Sequence, residues 1–371
     1  MTAVPARPPA RPAPVPVPVH PHVTDAVKAP DLIRLGPHTV LARFETLKVY
    51  AALGAVRTLL ERGTLTPGQT VVDSSSGIYA LALAMACHRY GLRCHIVAST
   101  TVDTTLRLQL EILGATVEQM PPSDDLRLDQ ERRVRRVRDL LRRRPGLYWM
   151  RQYHDAVHYA GYREFADLVA AALPVTELTV VGAVGTGAST AGLVLPLRQR
   201  GVAVRLVGLQ PFGSVTFGSD RFQDPEAIIA GIGSAIPFGN VRHELYDTVH
   251  WTDFRHATAG AVGLLRDHAV FAGLSTGAAY LAATWEAARH PGQSFLVIGP
   301  DTGHRYTERA FARHRELPDP RALKPHQITD LADLAPPWSV MEWRRRRHGP
   351  GPGPHSPAAG PRPADRQEGA V

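Results

Sequence analysis

Short aliphatic runs recur along this chain at the spacing a helix needs to carry one parallel strand to the next. "TVVD" (70–73), "RCHIVA" (93–98) and "ATVEQM" (115–120) read as buried strands, and 49–62, 78–90 and 102–113 carry helical patterns. The second half repeats the rhythm. "LTVVGAV" (178–184), "VAVRLVGLQ" (202–210) and "SFLVIGP" (294–300) are strand-like, while 189–199, 258–269 and 277–289 are helix-like. Strands separated by helices of about 10–15 residues specify βαβ units, and handedness rules put helices on both faces of the resulting parallel sheets. The expected fold is therefore α/β, with mostly parallel twisted sheets in αβα layers. "PPSDD" at 121–125 reads as a turn or linker, and Pro145-Gly146 ends the helix before it.

Composition bounds the rest. The N-terminal "ARPPARPAPVPVPVHP" and the C-terminal "RRRRHGPGPGPHSPAAGPRPADRQEGAV" are too poor in apolar surface to offset chain entropy, so 1–28 and 344–371 are expected to be disordered tails. Between them lie roughly 300 residues, enough for two lobes of ordinary size. Proline interrupts the N-terminal stretch too often for a signal peptide, and no segment approaches the roughly 20 apolar residues of a membrane helix. Two cysteines, Cys87 and Cys94, do not make a disulfide framework. A cytoplasmic protein is the expectation. Net charge is +8, and "ERRVRRVRDLLRRR" carries eight arginines between positions 132 and 144. Val134, Val137, Leu140 and Leu141 fall there at helical spacing, so the arginines read as the solvated face of an amphipathic helix. No stacking aromatics interleave with them, and nucleic-acid binding is not expected. His88, His154, His158 and His304 lack metal-site spacing and read as surface or pocket-rim residues; no metal is expected.

Within that frame one residue stands apart. Of 42 lysines and arginines only Lys28, Lys48 and Lys324 are lysines, so wherever positive charge alone is needed this chain uses arginine. Lys48 nevertheless sits in the otherwise apolar segment "FETLKVYAALGAV" (44–56). Arginine stays protonated, whereas a buried lysine can lose its proton and act as an amine nucleophile. The plainer alternative is a lysine snorkelling from a helix start. Three loops between strand-like and helix-like segments add to the case, since ligands of open α/β sheets sit at the carboxyl ends of strands. "VVDSSSGIYALALA" (71–84) offers backbone N–H groups and hydroxyls suited to a carboxylate or phosphate, or an ordinary serine cap. "VVGAVGTGASTAGL" (180–193) supplies small residues and hydroxyls fit to cradle a phosphate, without the lysine of a P-loop. "AGLSTGAAYLAA" (272–283) fits close helix–sheet packing or a ligand equally well. A reactive amine, a phosphate cradle and a carboxylate cradle together suit pyridoxal 5′-phosphate and an amino-acid substrate.

From about position 35 to 309 the chain resembles the cysteine synthase-like enzymes, the fold type II (tryptophan synthase β-like) pyridoxal-phosphate family. The segment "TLKVYAALGAVRTLLERGTLTPGQTVVDSSSG" has the family's layout, and the resemblance implies that Lys48 forms the Schiff base and then serves as general base. The family's Thr-Ser-Gly-Asn-Thr-Gly carboxylate loop maps to Ser75, Ser76, Gly77, Ile78, Tyr79 and Ala80. Its phosphate loop maps to Gly185, Thr186, Gly187, Ala188 and Ser189. "IIAGIGSAIP" is similar to the Gly-Ile-Gly segment at the active-site mouth, bringing in Gly231. "VIGPDTGHRYTE" resembles the stretch whose hydroxyl contacts the pyridine nitrogen, which implies Thr302, with Asp301 beside it. "RQYHDAVHYAGY" resembles the Gln-Phe-x-Asn segment, implying Gln152 and Tyr153.

The family pattern implies a larger cofactor lobe from 29–47 and 151–325, a smaller substrate lobe from 48–150, and a homodimer. The implied activity is β-elimination or β-replacement on an O-acetylserine- or O-phosphoserine-like amino acid. The chain departs from the pattern in three places: Ile78 replaces the loop asparagine, Val49 follows the lysine, and the Asn-Pro-x-Gly segment is missing before it. Those departures point away from housekeeping cysteine synthesis toward specialised metabolism. Simple deamination, racemisation, or a catalytically silent binding protein of the same fold remain the alternatives.

Overall fold

The computed structural model describes residues 18–99, 102–121, 126–222 and 231–346. The first half runs α1 (Val23–Val27), β1 (Asp31–Arg34), β2 (Thr39–Arg43), α2 (Lys48–Glu61), β3 (Thr70–Ser74), α3 (Ile78–Tyr90), β4 (Arg93–Ala98), α4 (Thr104–Ile112), β5 (Thr116–Gln119), α5 (Leu126–Arg143) and β6 (Leu147–Trp149). The second runs α6 (Tyr162–Ala172), β7 (Glu177–Ala183), α7 (Ala188–Gln199), β8 (Ala203–Pro211), β9 (Thr248–Thr252), α8 (Phe254–His268), α9 (Leu274–Arg289), β10 (Phe295–Gly299), β11 (His326–Ile328) and β12 (Trp338–Glu342). Strand and helix bounds fall within a few residues of those read from the apolar runs.

Two sheets form. The smaller, β5-β4-β3-β6, is parallel throughout; the larger has the order β1-β2-β10-β7-β8-β9-β12-β11 and is parallel from β2 to β9. Its outer strands break the pattern: β1 pairs antiparallel with β2, and β12 antiparallel with β9. Helices cover both faces, which is why the central strands are continuously aliphatic rather than alternating. On one face of the larger sheet Val181, Val207 and Leu209 join Ala257, Leu264, Ala278 and Ala282 of α8 and α9. On the other, Val180 and Leu206 share a core with Leu193 and Leu197 of α7. That core continues onto the smaller sheet through α2 and α3, and Val137 and Leu140 of α5 cover the far face of that sheet against Val72 and Val97. This is the expected α/β architecture of mostly parallel sheets in αβα layers.

The ends differ from the compositional expectation. Of the N-terminal tail, positions 1–17 lie outside the described residues, but α1 is folded onto the body: Lys28 Nζ donates to Glu164 Oε2 at 2.7 Å, and Tyr50 Oη donates to the Lys28 carbonyl at 2.7 Å. At the other end the larger sheet continues past position 325 with β11 and β12. Trp338 Nε1 donates to His250 Nδ1 at 3.1 Å, which leaves the proton on His250 Nε2 to donate to Glu286 Oε1 at 3.0 Å. Arg205 closes the network on Glu286 Oε2 at 2.8 Å. These apolar rings and paired charges outweigh the polar composition around them. Positions 347–371 lie outside the described residues. No helix among the described residues is long and apolar enough to cross a membrane.

Candidate active site

Lys48 opens α2 beside the carboxyl end of β10. The chain reaches it along that strand: Phe44 N donates to the Gly299 carbonyl at 2.9 Å, Leu47 N to the Pro300 carbonyl at 2.9 Å, and Thr46 bridges to Asp301. Lys48 Nζ donates to Thr186 Oγ1 at 3.2 Å, and burial pushes its amine down to about 8. A lysine so tuned is neutral for a substantial fraction of the time near physiological pH, which a snorkelling one is not.

Thr186 belongs to the loop between β7 and α7, where Gly185, Thr186 and Gly187 lead into Ala188 and Ser189 at the helix start. Gly187 has φ +80°, and a Cβ there would stand 2.7 Å from the Asn240 carbonyl oxygen. A Cβ on Gly185 would stand 2.3 Å from the carbonyl oxygen of Gly231, itself at φ +83°. Only glycine allows this approach; Ala188 N donates to Thr186 Oγ1 at 3.4 Å, and the other N–H groups of the first turn of α7 have no carbonyl ahead of them in the helix, the usual seat of an anion. An amine hydrogen-bonded to the hydroxyl of an anion cradle fits a cofactor carrying both an aldehyde and a phosphate. Asn240 braces the cradle from behind. Its Nδ2 donates to the carbonyls of Gln152 and Asp155, both at 3.0 Å, and its own carbonyl accepts from Tyr159 Oη at 2.7 Å.

The serine loop faces this cradle from the end of β3. Ser75 is buried, and its Oγ accepts from Gly77 N at 3.4 Å. Ser76 Oγ accepts from Ser99 N at 2.8 Å and from Arg133 Nη1 at 2.6 Å. Gly77 caps α3 without a side-chain bond, so the N–H groups of the first turn are available to a carboxylate. Tyr79 is turned into the protein. Its Oη donates to His158 Nε2 at 2.8 Å, because His158 Nδ1 donates to the Asp155 carbonyl at 3.0 Å. His158 is thus a buried partner, not the surface or rim residue its spacing suggested; burial, with Lys48 nearby, pushes it down to about 4. Gln152 is buried too: its Nε2 donates to the Ser74 carbonyl at 2.8 Å, and Tyr153 Oη donates to the same oxygen at 3.1 Å. Asp73 beneath the loop accepts from Gln152 N, Ser74 N and Trp149 Nε1, and burial pushes its carboxyl up to about 7.

Thr302 and Asp301 divide differently from the sequence expectation. Thr302 Oγ1 hydrogen-bonds with His304 Nδ1 at 2.9 Å on the accessible side. Asp301 is buried next to Thr46 and accepts from Ser275 Oγ, at the start of α9, at 3.4 Å. Burial pushes its carboxyl up to about 6, against the pull of Arg305. Lys48, Thr186, Gly185 and Gly231 are thus in mutual contact with Gly187, Ala188 and Ser189 following on, and Ser75, Ser76 and Gly77 form a separate turn at the end of β3. Gln152 and Tyr79 lie behind the loop, with their polar groups engaged by protein. Ser275 and Arg305 lay in stretches already singled out; Asn240 carries no motif.

The description "Pyridoxal-phosphate dependent enzyme" matches residues 41–301, more than half of the chain. N-(2-amino-2-carboxyethyl)-L-glutamate synthase of Cupriavidus metallidurans is 32% identical over 71% of this chain and 80% of its own length. Cysteine synthase of Helicobacter pylori is 27% identical over 67% of this chain and 80% of its own. Among solved structures, O-ureido-L-serine synthase superposes with a TM-score of 0.67 at 25% identity, covering 78% of this chain and 94% of that one.

Proposed function

The chain belongs to the pyridoxal-phosphate-dependent enzyme family, and on that premise we propose that it catalyses β-replacement on an activated serine-type amino acid such as O-acetylserine or O-phosphoserine. Its products are cysteine-like or non-proteinogenic amino acids. The observation that carries this reading is Lys48 Nζ, held 3.2 Å from the hydroxyl of a glycine-rich anion cradle. The products named in its relatives support the substrate class: cysteine, O-ureidoserine and the N-(2-amino-2-carboxyethyl) unit each carry a heteroatom on the β-carbon of alanine.

When bound, pyridoxal phosphate supplies an electron sink for the α-carbon of an amino acid, which lets an α-proton and a β-substituent leave. The chain's own residues do the rest. Gly185 to Ser189 hold the phosphate through backbone N–H groups and the Thr186 and Ser189 hydroxyls. The buried Ser275 and Asp301 side chains, rather than Thr302, would hold the ring nitrogen. Ser75 to Gly77 and the first turn of α3 take the α-carboxylate. Lys48 Nζ would hold the aldehyde carbon and would serve as the base for the α-proton, for which a pKa near neutrality is the useful value. Ile78, in place of the family's asparagine, gives the ring oxygen one donor fewer. A homodimer in the cytoplasm completes the reading, and sedimentation equilibrium checks the first part.

Two measurements test it. Borohydride reduction after incubation with pyridoxal phosphate, followed by peptide mapping, is expected to leave the pyridoxyl label on Lys48; a label elsewhere, or none, ends the reading. Mass spectrometry of products from O-acetylserine and O-phosphoserine with a panel of nucleophiles is expected to give nucleophile-dependent adducts. Keto acid and ammonia at a rate indifferent to nucleophile would instead identify an eliminating deaminase.

A further inference from the structure

The arginine-rich helix does more than present a solvated face. Gln130, Arg133, Val134, Val137 and Leu140 lie at i, i+3, i+4, i+7 and i+10 on α5, so two polar residues occupy the cleft end of its buried stripe. Gln130 Oε1 accepts from Ala235 N at 3.1 Å, which ties the start of the helix to the segment that follows Gly231. Arg133 then reaches Ser76 Oγ at 2.6 Å, and its Nε is buried without a protein acceptor. Arg305 approaches from the other lobe. Its Nη2 donates to the Ser76 carbonyl at 3.4 Å, and its Nε pairs with Asp103 at 3.3 Å. Its Nη1 lies 3.5 Å from where a Cβ on Gly77 would stand, and is likewise buried without an acceptor. Two guanidiniums from two lobes thus converge on one serine. Asp103 pairs with Arg305 and the buried Asp301 carboxyl feels its charge, yet each guanidinium keeps a buried N–H with no acceptor among the described residues. Buried donors of this kind are matched by an acceptor in the working state, and paired guanidiniums are the usual means of gripping carboxylate or phosphate.

We propose that Arg133 and Arg305 select an amino-acid substrate bearing a second negative group beyond its α-carboxylate. That group is either the phosphate of an O-phosphoserine-type donor or the side-chain carboxylate of an acidic acceptor. The proposal rests on the reading of the site as one for β-replacement, and names the class of substrate that site prefers.

The test compares matched pairs on the holoenzyme: O-phospho-L-serine against O-acetyl-L-serine as donors, and L-glutamate against L-glutamine as acceptors. Both kcat/KM and calorimetric binding are measured for wild type, R133Q, R305Q and the charge-retaining R133K. Wild type is expected to favour the anionic member of at least one pair, and R133Q and R305Q to collapse that charged-to-neutral ratio about tenfold or more, the loss of one charge-assisted bond. R133K is expected to retain part of the ratio, which separates lost recognition from a damaged fold. The pair that responds identifies whether donor or acceptor carries the anion. Equal losses for charged and neutral members overturn the proposal and leave the arginines as α-carboxylate or structural contacts. Should no donor turn over at all, the proposed activity fails, while the calorimetric ratios still decide for or against the anion site.

Discussion

Lys48 shows how much a single residue type can reveal and what decides its chemistry. Its folded-state amine is held at about 8 rather than 10.5, so the neutral form grows as pH rises through 8 and is already present well below the range of an exposed lysine. Apo-protein mixed with pyridoxal phosphate is therefore expected to load faster as pH rises, levelling above about 8, with the fraction of neutral amine falling about tenfold per unit below it. Stopped-flow absorbance checks this; a profile still climbing at pH 10 would mean an unperturbed lysine. This residue was legible because the chain otherwise writes arginine, and the glycines at 185 and 187 because small and hydroxyl residues cluster there between a strand-like and a helix-like run. The roles of Tyr79, His158, Gln152 and Thr302 were not legible. Each is decided by a partner, such as the Ser74 carbonyl for Gln152, whose proximity depends on strands meeting, and no local pattern records that.

At the scale of elements, apolar runs located helices and strands well because the central parallel strands are buried on both faces around aliphatic stretches such as Val180–Val181 and Leu206–Val207. The same logic hid β12. "WSVME" is short, follows two prolines and precedes four arginines, so its composition merges with the tail while Trp338 anchors it to His250. The Glu286 network beneath it makes a definite claim. Burial alone would raise the Glu286 carboxyl, but the bonds from His250 and Arg205 hold it at about 2 instead of 4.5. Its contribution to stability is accordingly present above pH 4.5 and lost as pH falls toward 2. Glu286→Ala leaves the buried His250 donor unmatched and removes the partner of the half-buried Arg205, and is expected to cost about 3 kcal/mol at neutral pH; this deficit should shrink as pH falls below 4.5. Denaturant melts at pH 7 and pH 3 check both halves; an equal deficit at the two values would contradict the linkage. Helix α5 teaches a related lesson. Its charge run reads as solvated surface, yet one arginine lies on the stripe that also carries Val134 and Val137, and position rather than composition sets its role.

Across the whole molecule, the alternation of strands and helices announced parallel sheets, but not which strands would neighbour one another. β2 pairs with β10 although some 250 residues separate them, and only a family pattern could suggest such a crossing beforehand. Assembly also depends on the last strands. A chain ended at position 325 would uncover β9, whose Val249 and Trp251 are wholly buried. It is expected to melt well below the full chain or to aggregate through the bare strand edge. Circular dichroism and light scattering distinguish these outcomes from an unaffected fold, which would reduce β12 to an ornament.

The amide of Asn240 has a larger consequence than its size suggests. It bolts the polypeptide at Gln152 and Asp155, between β6 and α6, to the back of Gly187 in the seat proposed for the phosphate. A joint shared in this way makes two equilibria one: whatever steadies that stretch tightens the grip on the phosphate by an equal factor, and the reverse. Protein kept saturated with an amino-acid ligand is thus expected to surrender its vitamin-derived passenger to dialysis more slowly than idle protein, and Asn240→Ala to erase the difference.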